Sequence, residues 1–187
     1  MTMTGVTLET TGIESEVVDG DLEPIGHVAM LDYDDVPIGT VLEEIEALEG
    51  PAVLSRSSPG SWHVVDLEVR PFAEAIEVAR SSTASREFVS EMDRRGCLTL
   101  RIGPKRRPDG SVETPAPVPI TVHVPDGLEE VEVSRPHAGR LRQLAANVGV
   151  EHVEDRLEEI ERGAVDGLEP VGRQLPETRY ETRGGIR

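Results

Sequence analysis

The sequence predicts an α+β fold in which two helices cover one face of a four-stranded antiparallel sheet. Three observations predict it. The 187 residues suffice for one domain with a substantial core. Apolar residues alternate with period two in some runs and recur at helical spacing in others. Between residues 26 and 103 these runs follow the order strand, helix, strand, strand, helix, strand.

Residues 1–22 are rich in Thr, Gly and acids with no sustained period, and read as a flexible acidic arm. A domain over 23–163 follows, with a core at 26–103 and a C-terminal extension at 104–163. The run "HVAMLDYD" is a strand. In "PIGTVLEEIEALEG" the period becomes helical, with Val41, Leu42, Ile45 and Leu48 on one face and Gly50-Pro51 as the stop. "AVLS", the turn "RSSPG" and "SWHVVDLEV" make a hairpin. Pro71 opens a helical stretch that breaks near Ser81 and Ser82, with Phe72, Ile76, Phe88, Val89 and Met92 as core candidates. "GCLTLRIG" is the last strand of this βαββαβ, ferredoxin-like set. In the extension, "ITVHVPDGLEEVEVS" reads as a β-hairpin about Pro125-Asp126-Gly127, and Leu141, Leu144, Val153, Leu157 and Ile160 mark two more helices. Residues 164–187 read as a polar tail.

Charge narrows the setting. The net charge is −17, and Lys105 is the sole lysine among 19 basic residues. An acid-rich, lysine-poor surface suits a cytoplasm at very high salt, where carboxylates stay hydrated and their repulsion is screened. A halophile's cytoplasmic protein is therefore expected. Against this background the stretch from Arg94 to Arg107, "RRGCLTLRIGPKRR", has six basic residues in fourteen. Arg94, Arg95, Arg101, Lys105, Arg106 and Arg107 are accordingly candidate nucleic-acid contacts. The single Cys97 excludes an intramolecular disulfide and sits in an apolar run. No secretory leader or membrane-spanning run is evident, so no membrane partner is expected.

In a sheet of this topology the first and third strands are central neighbours and the fourth flanks the first. Side chains alternate between faces. With Leu31 and Tyr33 toward the helices, Asp32 and Asp34 share the other, open face. Ser61 and His63 join them from the third strand and Arg101 from the fourth, while Trp62 and Val64 face the core. Asp35, before Pro37, reads as a helix cap.

The run "MLDYD", an apolar strand ending Asp-x-Asp, and "SSPGSWH", a Ser-x-His after a glycine turn, together resemble the catalytic core of the archaeo-eukaryotic primase superfamily. The resemblance covers about eighty residues and implies an RRM-like fold. The chain also looks like small proteins of haloarchaeal plasmids and viruses that pair "SSPGS-aromatic-H" with "LRIxPK". By resemblance, Asp32 and Asp34 are catalytic metal ligands for Mg²⁺ or Mn²⁺, and Ser61 and His63 are nucleotide-binding residues, His63 meeting the phosphates. Hard oxygen ligands suit these ions, which offset charge during phosphoryl transfer. One departure stands out: the superfamily places a third acid where this chain has Arg101, whose guanidinium could take the cation's place by pairing with the two aspartates. The implied function is primase-polymerase-like, in DNA replication, with single-stranded or primed DNA and a nucleotide as partners. Two other classes stay open: a non-catalytic nucleic-acid-binding module, and an assembly protein that engages a protein partner through its C-terminal helices.

Overall fold

The computed structural model describes residues 7–173 and 178–183. The fold is α+β, with five helices and two mostly antiparallel sheets among these residues. In chain order the elements begin with β1 (Thr7–Glu14), β2 (Glu16–Val18), β3 (Pro24–Asp34), α1 (Ile38–Glu46), β4 (Ala52–Ser58) and β5 (Ser61–Arg70). Helices α2 (Phe72–Ser81) and α3 (Arg86–Arg95) follow, then β6 (Thr99–Arg101), β7 (Lys105–Arg106), β8 (Val112–Thr114) and β9 (Val118–His123). The chain continues with β10 (Val131–Ser134), α4 (Arg135–Val148), α5 (Glu151–Arg162), β11 (Leu168–Val171) and β12 (Thr178–Arg183).

The larger sheet is centred on β5, which pairs antiparallel with β3 on one side and β4 on the other. Its alternation sorts two cores. Leu31, Tyr33, Ala52, Leu54 and Val64 pack with Val41 and Ile45 of α1. Val28, Met30, Val53, Val65 and Leu67, of opposite parity, join Leu141, Leu144, Val153, Leu157 and Ile160 of the last two helices. The face expected to be open is therefore covered along most of its length. A sheet with apolar residues on both faces needs two covers, and only its end, where the parity positions become Asp32, Asp34, Ser61 and His63, remains accessible.

The expected acidic arm is structured over its described part. β1 pairs with β12, β6 and β7 to form the second sheet, and β2 pairs with β3. Ser15 is the crossing point: its amide donates to the Leu98 carbonyl (2.8 Å) and its carbonyl accepts from Val28 (2.9 Å). The arm thus inserts where β6 was expected to flank β3, and β6 pairs with β1 instead. Thr-rich "TLETTGIE" lacks an apolar alternation but suits a pleated, half-buried strand, and the burial of Leu8, Ile13 and Val17 holds it.

The tail differs likewise from the polar segment expected at 164–187. β11 runs parallel to β10, and β12 pairs with β1; residues 174–177 and 184–187 lie outside the described residues. The expected hairpin around Pro125 is not formed either, because β9 adds to β4 and β10 to β5. The break near Ser81 separates α2 from α3 as the sequence predicts. Leu42 is exposed, leaving Val41 and Ile45 as the buried positions of α1. No helix among the described residues is long and apolar enough to cross a membrane.

Candidate functional site

The β3–β5 register sets Asp32 opposite His63 and Asp34 opposite Ser61. Two residues apart on one strand, Asp32 and Asp34 project from the same face, and Ser61 and His63 answer them from the next. Ser61 Oγ donates to Asp34 Oδ1 at 3.1 Å, and His63 Nε2 lies 3.4 Å from Asp32 Oδ1. The turn behind them uses Gly60 at φ +78°, a conformation that costs glycine nothing. On the core face Trp62 donates to the Val36 carbonyl at 2.9 Å and Tyr33 to Glu44 Oε2 at 2.9 Å, so these two aromatics tie the strands to α1 and the segment before it.

The second sheet supplies the opposite wall. Arg101 from β6 and Lys105 from β7 face the aspartates across a cavity of about 600 Å³, with Ser57 and Glu113 at its rim. Gly103 permits this approach: a Cβ there would lie 2.1 Å from Thr11 Oγ1, so the turn between the two basic residues is pressed onto β1.

Arg101 does not take the cation's place. Its guanidinium donates to the carbonyls of Gly103 (2.9 Å), Pro115 (2.6 Å) and Ser57 (2.8 Å). No ion pair among the described residues joins it to Asp32 or Asp34. Three carbonyls satisfy the planar fork and pin the second sheet to the end of β4, while the positive charge still acts on the aspartates through space.

The charge states follow from burial. Asp32 is pushed up to about 7 by desolvation, then by Asp34, against the pull of Lys105 and Arg101. His63 is lowered to about 3, chiefly by burial and then by Arg101, while its hydrogen bond to the Arg101 carbonyl opposes this. The imidazole is neutral at pH 7. Lys105 is shifted down by burial and by Arg101, with Asp32, Asp34 and Glu113 pulling it up. A carboxyl that resists ionising beside a second carboxylate is relieved by a cation. Asp32 and Asp34 present hard oxygen donors from one strand face, the ligand type that suits Mg²⁺ or Mn²⁺. Among the described residues no set of three or more acidic, His or Cys side chains is grouped to hold a metal, and Glu113 is paired with Arg107.

The basic cluster is divided by the fold. Only Arg101 and Lys105 enter the cavity. Arg94 pairs with Glu91 (2.7 Å) on α3, Arg107 pairs with Glu113, and Arg106 donates to the Gly110 carbonyl at 3.1 Å; Arg95 ends α3. Asp35 is not a cap, since it lies at φ 56° and the cap position is Pro37 without a side-chain bond. Asp66 belongs to the other face, fully buried and bonded to Arg70 at 2.6 Å. Two contributors went unread in the sequence. Ser57 contributes the carbonyl that accepts from Arg101, a group any residue has. Tyr180 comes from β12, and its phenol, raised to about 12 mainly by burial, is also influenced by Arg101 and Asp32. No protein-family model, curated protein or solved structure matches the chain.

Proposed function

We propose that this chain is a primase-polymerase-like protein of a halophile's DNA replication, whose cavity holds the phosphates of a nucleotide at the end of a DNA strand. One observation carries the reading: Asp-x-Asp and Ser-x-His lie on adjacent strands, in register, facing one cavity with two cations opposite. The chain order β3, α1, β4, β5, α2 with α3, β6, and the ladder β4–β5–β3, support an RRM-like core into which β2 has been inserted.

In this reading Asp32 and Asp34 hold a divalent cation, Mg²⁺ or Mn²⁺, which when bound offsets charge on the transferring phosphoryl group. His63 bonds a phosphate oxygen when its second ring nitrogen takes up a proton, since the single N–H of the neutral ring is given to the Arg101 carbonyl. Lys105, for which no ion pair is found among the described residues, reaches the phosphates as a point charge, whereas Arg101, fixed by three carbonyls, contributes a standing field. Nucleotide incorporation on single-stranded and primed DNA in molar KCl with Mg²⁺ or Mn²⁺ tests this. Incorporation by the intact protein and none by Asp32→Ala plus Asp34→Ala is expected; incorporation unchanged in that variant, or absent from the folded intact protein, overturns the catalytic reading.

Arg101 at the place of a third acid favours a second reading, a binding module without catalysis. It predicts DNA binding that weakens with salt and with Lys105→Gln, and no incorporation.

A further inference from the structure

A chain with 18 arginines and one lysine uses arginine wherever a positive charge alone is wanted. A guanidinium stays protonated at any accessible pH and is no nucleophile, whereas an amine can lose its proton and attack a carbonyl. The single amine side chain is Lys105, half-buried, and it lines the cavity with Asp32, Asp34, His63 and Arg101. Its position is constrained by the Gly103 turn pressed against Thr11 and by the pairing of Lys105 with Thr114.

We propose that the Lys105 amine is a nucleophile that forms an imine with the ring-opened sugar aldehyde of an abasic residue in a DNA strand held in this cavity. The inference rests on the reading of the cavity as a phosphate-strand site, and adds to it a second activity. Two features of the lining choose the substrate class. Arg101 supplies a positive field, and Asp32 with Asp34 would meet a phosphate through a bound cation, so the aldehyde is one carried between phosphates. The described lining also has no Phe, Tyr or Trp, its His63 and Arg101 are held by other groups, and serines 57, 58 and 61 line it too, so no aromatic platform for a base is built there and a baseless sugar suffices.

The chemistry closes without an oxidant or reductant. The Lys105 nitrogen adds to C1′, and the carbonyl oxygen leaves as water with the two amine hydrogens, giving C=N. Loss of the C2′ proton to water then breaks the C3′–O bond, which releases the downstream strand with its 5′ phosphate and leaves the unsaturated imine on the upstream strand. Hydrolysis of the imine by a second water frees Lys105. A neighbouring cation and burial favour a nucleophilic amine. Here Arg101 and burial act in that direction, and Asp32, Asp34 and Glu113 act against it.

Sodium borohydride reduces an imine to a stable amine, so the full chain is mixed with an oligonucleotide carrying one abasic site and reduced. The adduct is mapped by peptide mass, and binding of the same oligonucleotide is followed by anisotropy. An adduct on Lys105 is expected, absent with the intact strand and at least tenfold weaker in Lys105→Arg when each protein is saturated with the oligonucleotide as read by anisotropy. Binding without an adduct on Lys105 overturns the inference and leaves the phosphate-strand reading standing. An adduct that persists in Lys105→Arg, and so lies on the chain's terminal amine, also overturns it. Ribose 5-phosphate captured as readily as the strand assigns the amine to free sugar phosphates and overturns the strand substrate. Neither binding nor adduct removes both readings.

Discussion

His63 stands opposite Asp32 across the β3–β5 ladder, its Nε2 3.4 Å from Asp32 Oδ1, and burial holds each away from the charge it would carry in water. With the imidazole neutral at pH 7, the pair is a hydrogen-bonding contact and not an ion pair.

Asp32→Asn should therefore stabilise the protein, and by an amount that depends on pH. Unfolded, the carboxyl ionises near 3.8; folded, it holds its proton to about 7. The cost of ionising it in the fold grows as pH rises from 3.8 and is complete above 7. The gain from Asp32→Asn should be small at pH 4 and about 4 kcal/mol at pH 8. His63 has the opposite sign, since its folded pKa is depressed from 6.5 to about 3. Its contribution is full above 6.5 and lost as pH falls toward 3. Urea unfolding at fixed KCl and pH 4, 6 and 8 measures both trends, and a gain independent of pH counts against the placement of Asp32.

Mg²⁺ or Mn²⁺ should raise the unfolding temperature of the intact protein and not that of Asp32→Asn or Asp34→Asn. A cation at tenfold its dissociation constant adds about 1.4 kcal/mol. The effect should be larger at pH 8 than at pH 5, because binding at pH 5 must first expel a proton from Asp32. Equal stabilisation of all three proteins assigns the ion to another place.

Arg101→Lys should destabilise by about 2–4 kcal/mol although the charge is kept. One ammonium cannot replace a fork that serves three carbonyls, and a buried acceptor left unsatisfied costs about 1–3 kcal/mol. Chemical denaturation reads the loss. If Arg101 were an ion-pair partner of the aspartates instead, lysine would substitute at little cost.

Gly12→Ala should cost about 1–3 kcal/mol by overpacking. The added carbon would lie 2.4 Å from Tyr180 Cε1 and 2.7 Å from the Leu100 carbonyl. Since β1, β6 and β12 all meet at this residue, Tyr180 should loosen together with Arg101. A stability change under 0.5 kcal/mol, the range of ordinary surface substitutions, contradicts the pairing of the N-terminal strand.

Local pattern made much of the central architecture legible. Strict alternation in "MLDYD" and "SWHVV" placed Leu31, Tyr33 and Val64 on one face and Asp32, Asp34 and His63 on the other. That assignment follows from backbone geometry with period two and needs no knowledge of the partner strand. The helical periods of Val153, Leu157 and Ile160 were equally readable, because an apolar stripe must be buried somewhere. What the stripe is buried against is a long-range matter. Nothing in residues 135–162 tells that they cover the face opposite α1, nor that "TLETTGIE" would thread between β3 and β6.

Polar strands were the hardest to read, because Thr and Glu pair well in a ladder without the apolar signal that announces one. The basic cluster was likewise only a composition until the fold sent Arg94 and Arg107 to surface ion pairs and brought Arg101 and Lys105 inward. By itself the sequence determined which residues share a strand face, since that is a property of neighbouring dihedrals. The tertiary structure alone decided which faces meet, which charges are buried and where the one lysine points, since desolvation and pairing depend on segments far apart in the chain.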